Sequence, residues 1–213
     1  MSKYWNKRYQ NGETSGAGSV GEFKEWKWQQ IIDFCPTFLK KTVLDAGCGD
    51  MSFWQDKPFP KEYLGIDFSE HIIEQNKKMY DLEELSFHHG HLTDPFPKQM
   101  DLSFCFDVIF HILRTDDIEK IIRNLCLNTK EMIFIYTWDR NPWKNWRNQL
   151  SLLKSGKIKT LLANRTKEYD DYQRFHRMED FIPIFSEYDF NTHTIISHKS
   201  CNAMYVFFKE GFD

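Results

Sequence analysis

Five short apolar runs, TVLDAG, YLGID, LSFHHG, LSFCFD and EMIFIYTW, recur along the chain, each bounded by turn-forming residues. Runs of this length and composition predict strands buried on both faces. Between the second and third, SEHIIEQNKKMY opens on Ser69 as a helix N-cap and places Ile72, Ile73 and Met79 along one helical stripe. After the fourth, Thr115, Asp116 and Asp117 make a helix start, followed by Ile118, Ile121, Ile122 and Leu125 at helical spacing. Strands alternating with helices predict a parallel sheet covered on both faces. The end of the chain breaks that rhythm. THTIISHK and NAMYVFFKE are separated only by a short polar turn around Ser200, too little for a crossover, so this pair is antiparallel. The pattern predicts an α/β sheet finished by a hairpin.

Residues 139–173 fit no simple connection and predict a helix of their own, with Leu150, Leu153 and Leu161 as its apolar face; a further helix is expected near MEDFIPIFSEY. The segment carries Arg140, Lys144, Arg147, Lys154, Lys157, Lys159, Arg165 and Lys167 against Asp139 alone, then turns acidic at EYDDY. Such a charge run is either a solvated helix face or a lid that attracts an anionic substrate.

Composition narrows the setting. With 213 residues, 41% hydrophobic and 28% charged, the chain suits one domain with a sizeable core. No apolar stretch is long enough to span a bilayer, and MSKYWNKRYQ lacks the apolar core of a secretion signal, so a cytoplasmic protein without a membrane partner is expected. Five cysteines without CxxC pairing indicate neither disulfides nor zinc. A net charge of -3 excludes a uniformly basic nucleic-acid-binding surface.

The candidate chemistry begins at VLDAGCGD, residues 43–50, at the end of the first predicted strand. Gly47 and Gly49 remove side chains that would keep a ligand from the backbone, and the turn aims amides into the crevice at the strand's carboxyl end. The next strand, YLGID, ends in Asp67, whose carboxylate can accept hydrogen bonds from the two hydroxyls of a ribose.

With Asp45, Gly47, Cys48 and Gly49 as an acidic residue and its glycines, the sequence resembles the class I S-adenosylmethionine-dependent methyltransferases. The glycine spacing is shorter than the GxGxxG of dinucleotide dehydrogenases. The resemblance implies a Rossmann-like, seven-stranded, mostly parallel sheet with helices on both faces. It also implies S-adenosyl-L-methionine as cofactor, with Asp67 at the ribose and Phe68 against the adenine. WNKRYQNGETSGAGS is similar to the leader of small stand-alone methyltransferases of sugar and surface-polysaccharide pathways. By that likeness Tyr9, Ser15, Gly16 and Ser19 close over the methionine end, with Arg8 as a partner for the carboxylate. The domain would then span 1–213, with a cofactor-closing segment 1–30 and a lid-like basic insertion 139–173. Where the family has an acidic residue after the third strand, this chain reads HHGHLTD. His91 there is expected to stack on or bond to the adenine, and the amide of Leu92 to meet a ring nitrogen. His88, His89 and His91 are not expected to hold a metal, because strand alternation sends His88 and His89 to opposite faces.

FDVIFHILR, residues 106–114, corresponds to the family's fourth motif, beside the methyl group. A helical turn after Asp107 would set Asp107 and His111 facing the same way, with His111 as general base and Asp107 orienting the acceptor or the cofactor's amino group. The alternative is a histidine satisfied in the core. Trp138, Arg140 and Trp143 after the fifth strand, and Tyr172, Arg174 and His176 before the last helix, are expected to line the acceptor pocket. The two arginines would grip an anionic small molecule, phosphorylated or nucleotide-linked, for methylation at oxygen. An RNA methyltransferase and a non-catalytic S-adenosylmethionine-binding subunit are the competing readings.

Overall fold

The computed structural model describes residues 2–155, 157–164, 167, 170–199 and 201–211. Arg165, Ser200 and the Glu168 and Tyr169 of EYDDY lie outside the described residues, as do the side chains of Arg147 and Leu161.

The five apolar runs form β1 (Thr42–Ala46), β2 (Glu62–Asp67), β3 (Leu85–His89), β4 (Met100–Phe106) and β5 (Thr129–Trp138), and the terminal hairpin forms β6 (Thr192–Ser197) and β7 (Asn202–Phe208). They make one sheet in the order β3-β2-β1-β4-β5-β7-β6. β1 to β5 pair in parallel, and β7 is antiparallel to both β5 and β6. This is the seven-stranded, mostly parallel sheet with a reversed final strand that the sequence implied. The helices are α1 (Ser2–Gln10), α2 (Gly21–Phe34), α3 (Glu70–Met79), α4 (Thr115–Asn128), α5 (Trp146–Lys154), α6 (Ile158–Asn164) and α7 (Ile182–Ser186).

The period of two along each strand divides the core. Leu44 and Ala46 join the layer that contains Ile118 and Ile121 of α4 and Phe185 of α7. Val43 joins the layer that contains Trp28 and Ile31 of α2 and Ile72 and Ile73 of α3. Burial of each such aliphatic side chain contributes about 1.5–3 kcal/mol. Among the described residues, no helix is long and apolar enough to cross a membrane.

Two local expectations need correction and a third is met in position only. Ser69 is the N-cap of α3, and its carbonyl accepts from Ile73 N at 3.1 Å, but its buried hydroxyl makes no capping hydrogen bond; its backbone amide donates to Asp67 Oδ1 at 2.9 Å. Met79 is 70% exposed, because the buried face of α3 is Ile72, Ile73 and the polar Asn76, and the last turn reaches solvent. The insertion holds two helices, α5 and α6, instead of one, and Leu150 and Leu153 are exposed rather than packed on a core.

β1 and β4 are neighbours, yet the chain continues from β1 outward to β2 and from β4 the other way to β5. That reversal leaves a crevice at the strands' carboxyl ends, where such sheets bind ligands.

Candidate functional site

The turn after β1 shapes one side of the crevice. Gly47 and Cys48 both donate from their amides to the carbonyl of Ile66, at 2.8 and 3.1 Å, which ties the turn to the end of β2. Gly47 has φ 90°, and a side chain there would run into Val108. Asp67 is held between amides: Gly49 N donates to Oδ2 at 3.1 Å and Ser69 N to Oδ1 at 2.9 Å. Burial raises its carboxyl to about 6, and the two amides restrain that rise. Asp45 is also buried and also raised by burial, while Trp54 Nε1 and Tyr63 Oη stabilise its charge by donating to Oδ2 at 2.7 and 2.9 Å.

The N-terminal segment is stapled across this turn. Ser15 donates from its hydroxyl to Asp50 Oδ1 at 2.6 Å and from its amide to Asp50 Oδ2 at 3.0 Å, and Asp50 N donates back to Ser15 Oγ at 3.0 Å. Tyr9 Oη lies 3.2 Å from the same hydroxyl. Gly16, at φ 102°, makes the bend into a short turn, Ala17–Ser19, that lies so close to Asp107 that a side chain at Gly18 would meet its carboxylate. Arg8 is turned elsewhere, to the carbonyl of Thr14 at 2.6 Å and to Glu13 at 3.2 Å. It does not line the cavity, which corrects the expectation that it reaches a carboxylate there.

Beyond β4 the backbone departs from a helical turn. Asp107 has φ 60°, and a 3-10 turn, Ile109–His111, follows. Asp107 and His111 nevertheless line the same cavity. His111 Nδ1 lies 3.0 Å from the carbonyl oxygen of Tyr172, which can only accept, so Nδ1 carries the proton and Nε2 is the acceptor of the neutral ring. Burial holds this imidazole below its ordinary range, partly opposed by the Tyr172 carbonyl and by the charge of Asp107. The edge of Trp5 meets the ring with centroids 5.0 Å apart.

The principal residue absent from the sequence reading is Lys27. Its side chain is 0% exposed and its ammonium lies 2.5 Å from Asp107 Oδ2. The rings of Tyr136, Phe53 and Phe106 surround the ammonium at 4.8, 5.2 and 5.3 Å. The available signal was the period of α2, whose buried positions Lys24, Lys27, Trp28 and Ile31 share one face. Lys24 uses that face to cap the carbonyls of Ser52 and Gln55.

These groups enclose a cavity of about 360 Å³. Of the residues expected from sequence, Tyr9, Ser15, Ser19, Asp45, Gly47 and Cys48 line it. Asp67, Phe68, His91, Leu92, Asp107 and His111 line it as well. Gly16 and Gly49 shape its wall through the backbone without lining it. Phe68 and His91 present near-parallel rings, 10° apart with centroids separated by 6.2 Å. His89 faces the carbonyl of Phe68 at 3.0 Å, and among the described residues no group of His, Cys, Asp and Glu is placed to hold a metal ion.

The expected acceptor residues do not gather around this cavity. Trp138 stacks on Phe110 at 4.5 Å and meets Trp143 edge-on at 5.4 Å. Arg140 is exposed beside Asp139. Arg174 donates to the carbonyl of Leu113 at 2.8 Å, and His176 Nε2 lies 2.6 Å from that of Ile112; both line a separate hollow with Arg123 and Asp180. Tyr172 alone touches the site, through its carbonyl on His111, with its ring stacked on Tyr4 at 4.8 Å. A paired grip on an anion by Arg140 and Arg174 is therefore not what this arrangement offers. Each guanidinium serves a local partner.

Residues 43–131 match a family model described as a methyltransferase domain. Among solved structures, magnesium protoporphyrin IX methyltransferase from Synechocystis PCC 6803, with bound S-adenosylhomocysteine, is similar at 18% identity and TM-score 0.63, covering 98% of this chain and 97% of that one. The N-methyltransferase NodS from Bradyrhizobium japonicum WM9 is similar at 13% identity and TM-score 0.57, covering 90% and 98%. A putative O-methyltransferase from Nostoc punctiforme PCC 73102 is similar at 15% identity and TM-score 0.55, covering 98% and 68%. At these identities the likeness is one of fold. No curated protein matches the sequence.

Proposed function

On the premise that the chain is a class I S-adenosylmethionine-dependent methyltransferase, we propose that it methylates a hydroxyl oxygen of a small molecule, with His111 as the base. The observation that carries this reading is the shared cavity. It brings the buried carboxylate of Asp67, the Phe68 and His91 rings and the Nδ1-protonated imidazole of His111 onto one surface.

The residues present fit the cofactor. Asp67 suits the ribose hydroxyls, because a carboxylate held by two amides and short of solvation gains from further donors. Phe68 and His91 offer flat faces for an adenine, with the amide of Leu92 alongside. Tyr9, Ser15, Gly16 and Ser19 belong to the stapled segment that covers the opposite end. When bound, S-adenosylmethionine supplies a methyl group already activated by its sulfonium, so the protein's work is to place the acceptor and take its proton.

His111 takes that proton at Nε2, while Tyr172 fixes the ring from behind through Nδ1. Asp107, anchored by Lys27, presents its other oxygen to an acceptor or to the cofactor's amino group. Trp5, Phe53 and Phe106 line the same cavity and exclude water from it. The acceptor therefore meets aromatic and acidic surroundings. Arg140 and Arg174, each occupied by a local partner, offer an anionic acceptor no paired grip. The likeness of the leader to that of sugar-pathway methyltransferases supports a sugar-like hydroxyl compound.

The test is transfer of labelled methyl from the cofactor to a fractionated small-metabolite extract. Label should enter the metabolite fraction and not RNA or protein. Labelling confined to RNA would overturn the acceptor class and leave the cofactor reading standing.

A further inference from the structure

The segment leaving β5 carries a charge pattern that the site does not use. From 140 to 167 the chain has the eight cations Arg140, Lys144, Arg147, Lys154, Lys157, Lys159, Arg165 and Lys167 and no acidic residue, in a protein of net charge -3. The remainder of the surface is accordingly acidic, and positive potential concentrates here. The described part of the segment is a pair of helices, α5 and α6, with a fixed neck: Asn141 Nδ2 donates to the carbonyl of Lys167 at 2.9 Å, and the Lys167 ammonium sits 4.9 Å from the centre of the Trp143 ring. The neck emerges at the carboxyl end of β5, the edge of the sheet on which the cavity opens.

The helices also expose apolar side chains. Leu150, Leu153 and Leu162 are 43%, 53% and 55% exposed, and Leu150 and Leu153 lie three residues apart on one side of α5. A solvated charged helix has no use for leucines in water. A purely electrostatic partner such as RNA would compensate the lysines but leave the leucines wet. A bilayer surface with anionic headgroups satisfies both, since leucines enter the headgroup and acyl boundary while lysines remain among the phosphates.

We propose that the helical pair α5 (Trp146–Lys154) and α6 (Ile158–Asn164) docks the protein on the surface of an anionic lipid bilayer, with the cavity mouth facing the membrane side. The absence of a spanning segment, on which the expectation of no membrane partner rested, does not bear on surface docking. The inference is independent of the methyl-transfer reading.

The test is co-sedimentation of the full chain with vesicles of phosphatidylcholine alone or mixed with phosphatidylglycerol, at low and high salt. The chain should bind the mixed vesicles, release at high salt, and ignore phosphatidylcholine. The triple substitution Leu150→Ser, Leu153→Ser, Leu162→Ser should weaken vesicle binding by about tenfold or more at unchanged charge. Charge reversal by Lys154→Glu, Lys157→Glu and Lys159→Glu should abolish it. Thermal unfolding should be unchanged in both variants, because none of the six side chains packs on the core. Absence of vesicle binding would overturn the proposal. So would a leucine variant that binds vesicles normally, or a self-associating chain whose leucine variant is monomeric and whose parent ignores vesicles.

Discussion

Lys27 and Asp107 form an ion pair at 2.5 Å in the wall of the cavity, with the lysine side chain fully buried and the aspartate partly exposed. Two elements distant in sequence, α2 and the turn after β4, are joined there. Lys27 alone would be a charge stranded among Phe53, Phe106 and Tyr136, whereas Asp107 keeps access to the cavity. Replacing Asp107 by Ala should therefore destabilise the protein by about 3 kcal/mol, and Lys27→Met by less, because the remaining carboxylate is partly exposed. The double variant should lose much less than the sum, because no lone charge remains. Denaturant unfolding of all four proteins checks this, and additive losses would show the pair to be uncoupled.

Ser15 and Asp50 hold the N-terminal segment on the glycine turn by three hydrogen bonds. Asp50→Ala removes the two that its carboxylate accepts and keeps the one that its backbone amide donates, while leaving the sheet untouched. The segment should then be cut faster by trypsin at Lys7 and Arg8, and a cofactor analogue should bind about tenfold more weakly. Limited proteolysis with and without the analogue measures both effects. Unchanged cleavage would mean that the segment is held by other contacts.

His111→Ala should slow methyl transfer by about a hundredfold or more with cofactor affinity intact. The pH dependence follows from burial. The neutral ring is the base, and its pKa in the folded state lies below the ordinary value of 6.5. Activity should persist as pH falls through 6.5 and drop only at the lower folded value. Over that window the unfolded chain binds more protons than the folded one, so this histidine's contribution to stability rises with pH and is lost on acidification. A rate limb at or above 6.5 would remove His111 from the role of base.

Much of this was legible in the sequence because it depends on local rules. The inner strands β1, β2 and β4 are buried as their continuous apolar runs predict, whereas β3, at the sheet edge, buries Leu85 and Phe87 and exposes Ser86, His88 and His89, which corrects the expectation of burial on both faces. The hairpin follows from a connection too short for a crossover. Asp67 follows from its place at the end of the second strand. What escaped depends on tertiary context. Lys27 stands in WKW, and only the distant Asp107 makes the burial of its charge tolerable. Leu150 and Leu153 had the spacing of a core stripe, but no layer of the sheet extends beneath them. Arg174 and His176 looked free to bind substrate because the backbone carbonyls of Leu113 and Ile112 that occupy them leave no trace in side-chain patterning.

The central claim is that the crevice between β1 and β4 binds S-adenosylmethionine through Asp67. Calorimetric titration with S-adenosylhomocysteine tests it most directly, on the parent chain and on Asp67→Ala, across a range of pH. The free carboxyl titrates at about 6 and the ribose hydroxyls stabilise its charged form. Affinity should thus be full above that value and fall as pH drops through it. Loss of two charge-assisted hydrogen bonds should weaken the Asp67→Ala complex by about a hundredfold, with no pH dependence left in that range. Equal affinity of the two proteins, or no binding by the parent, would contradict the account.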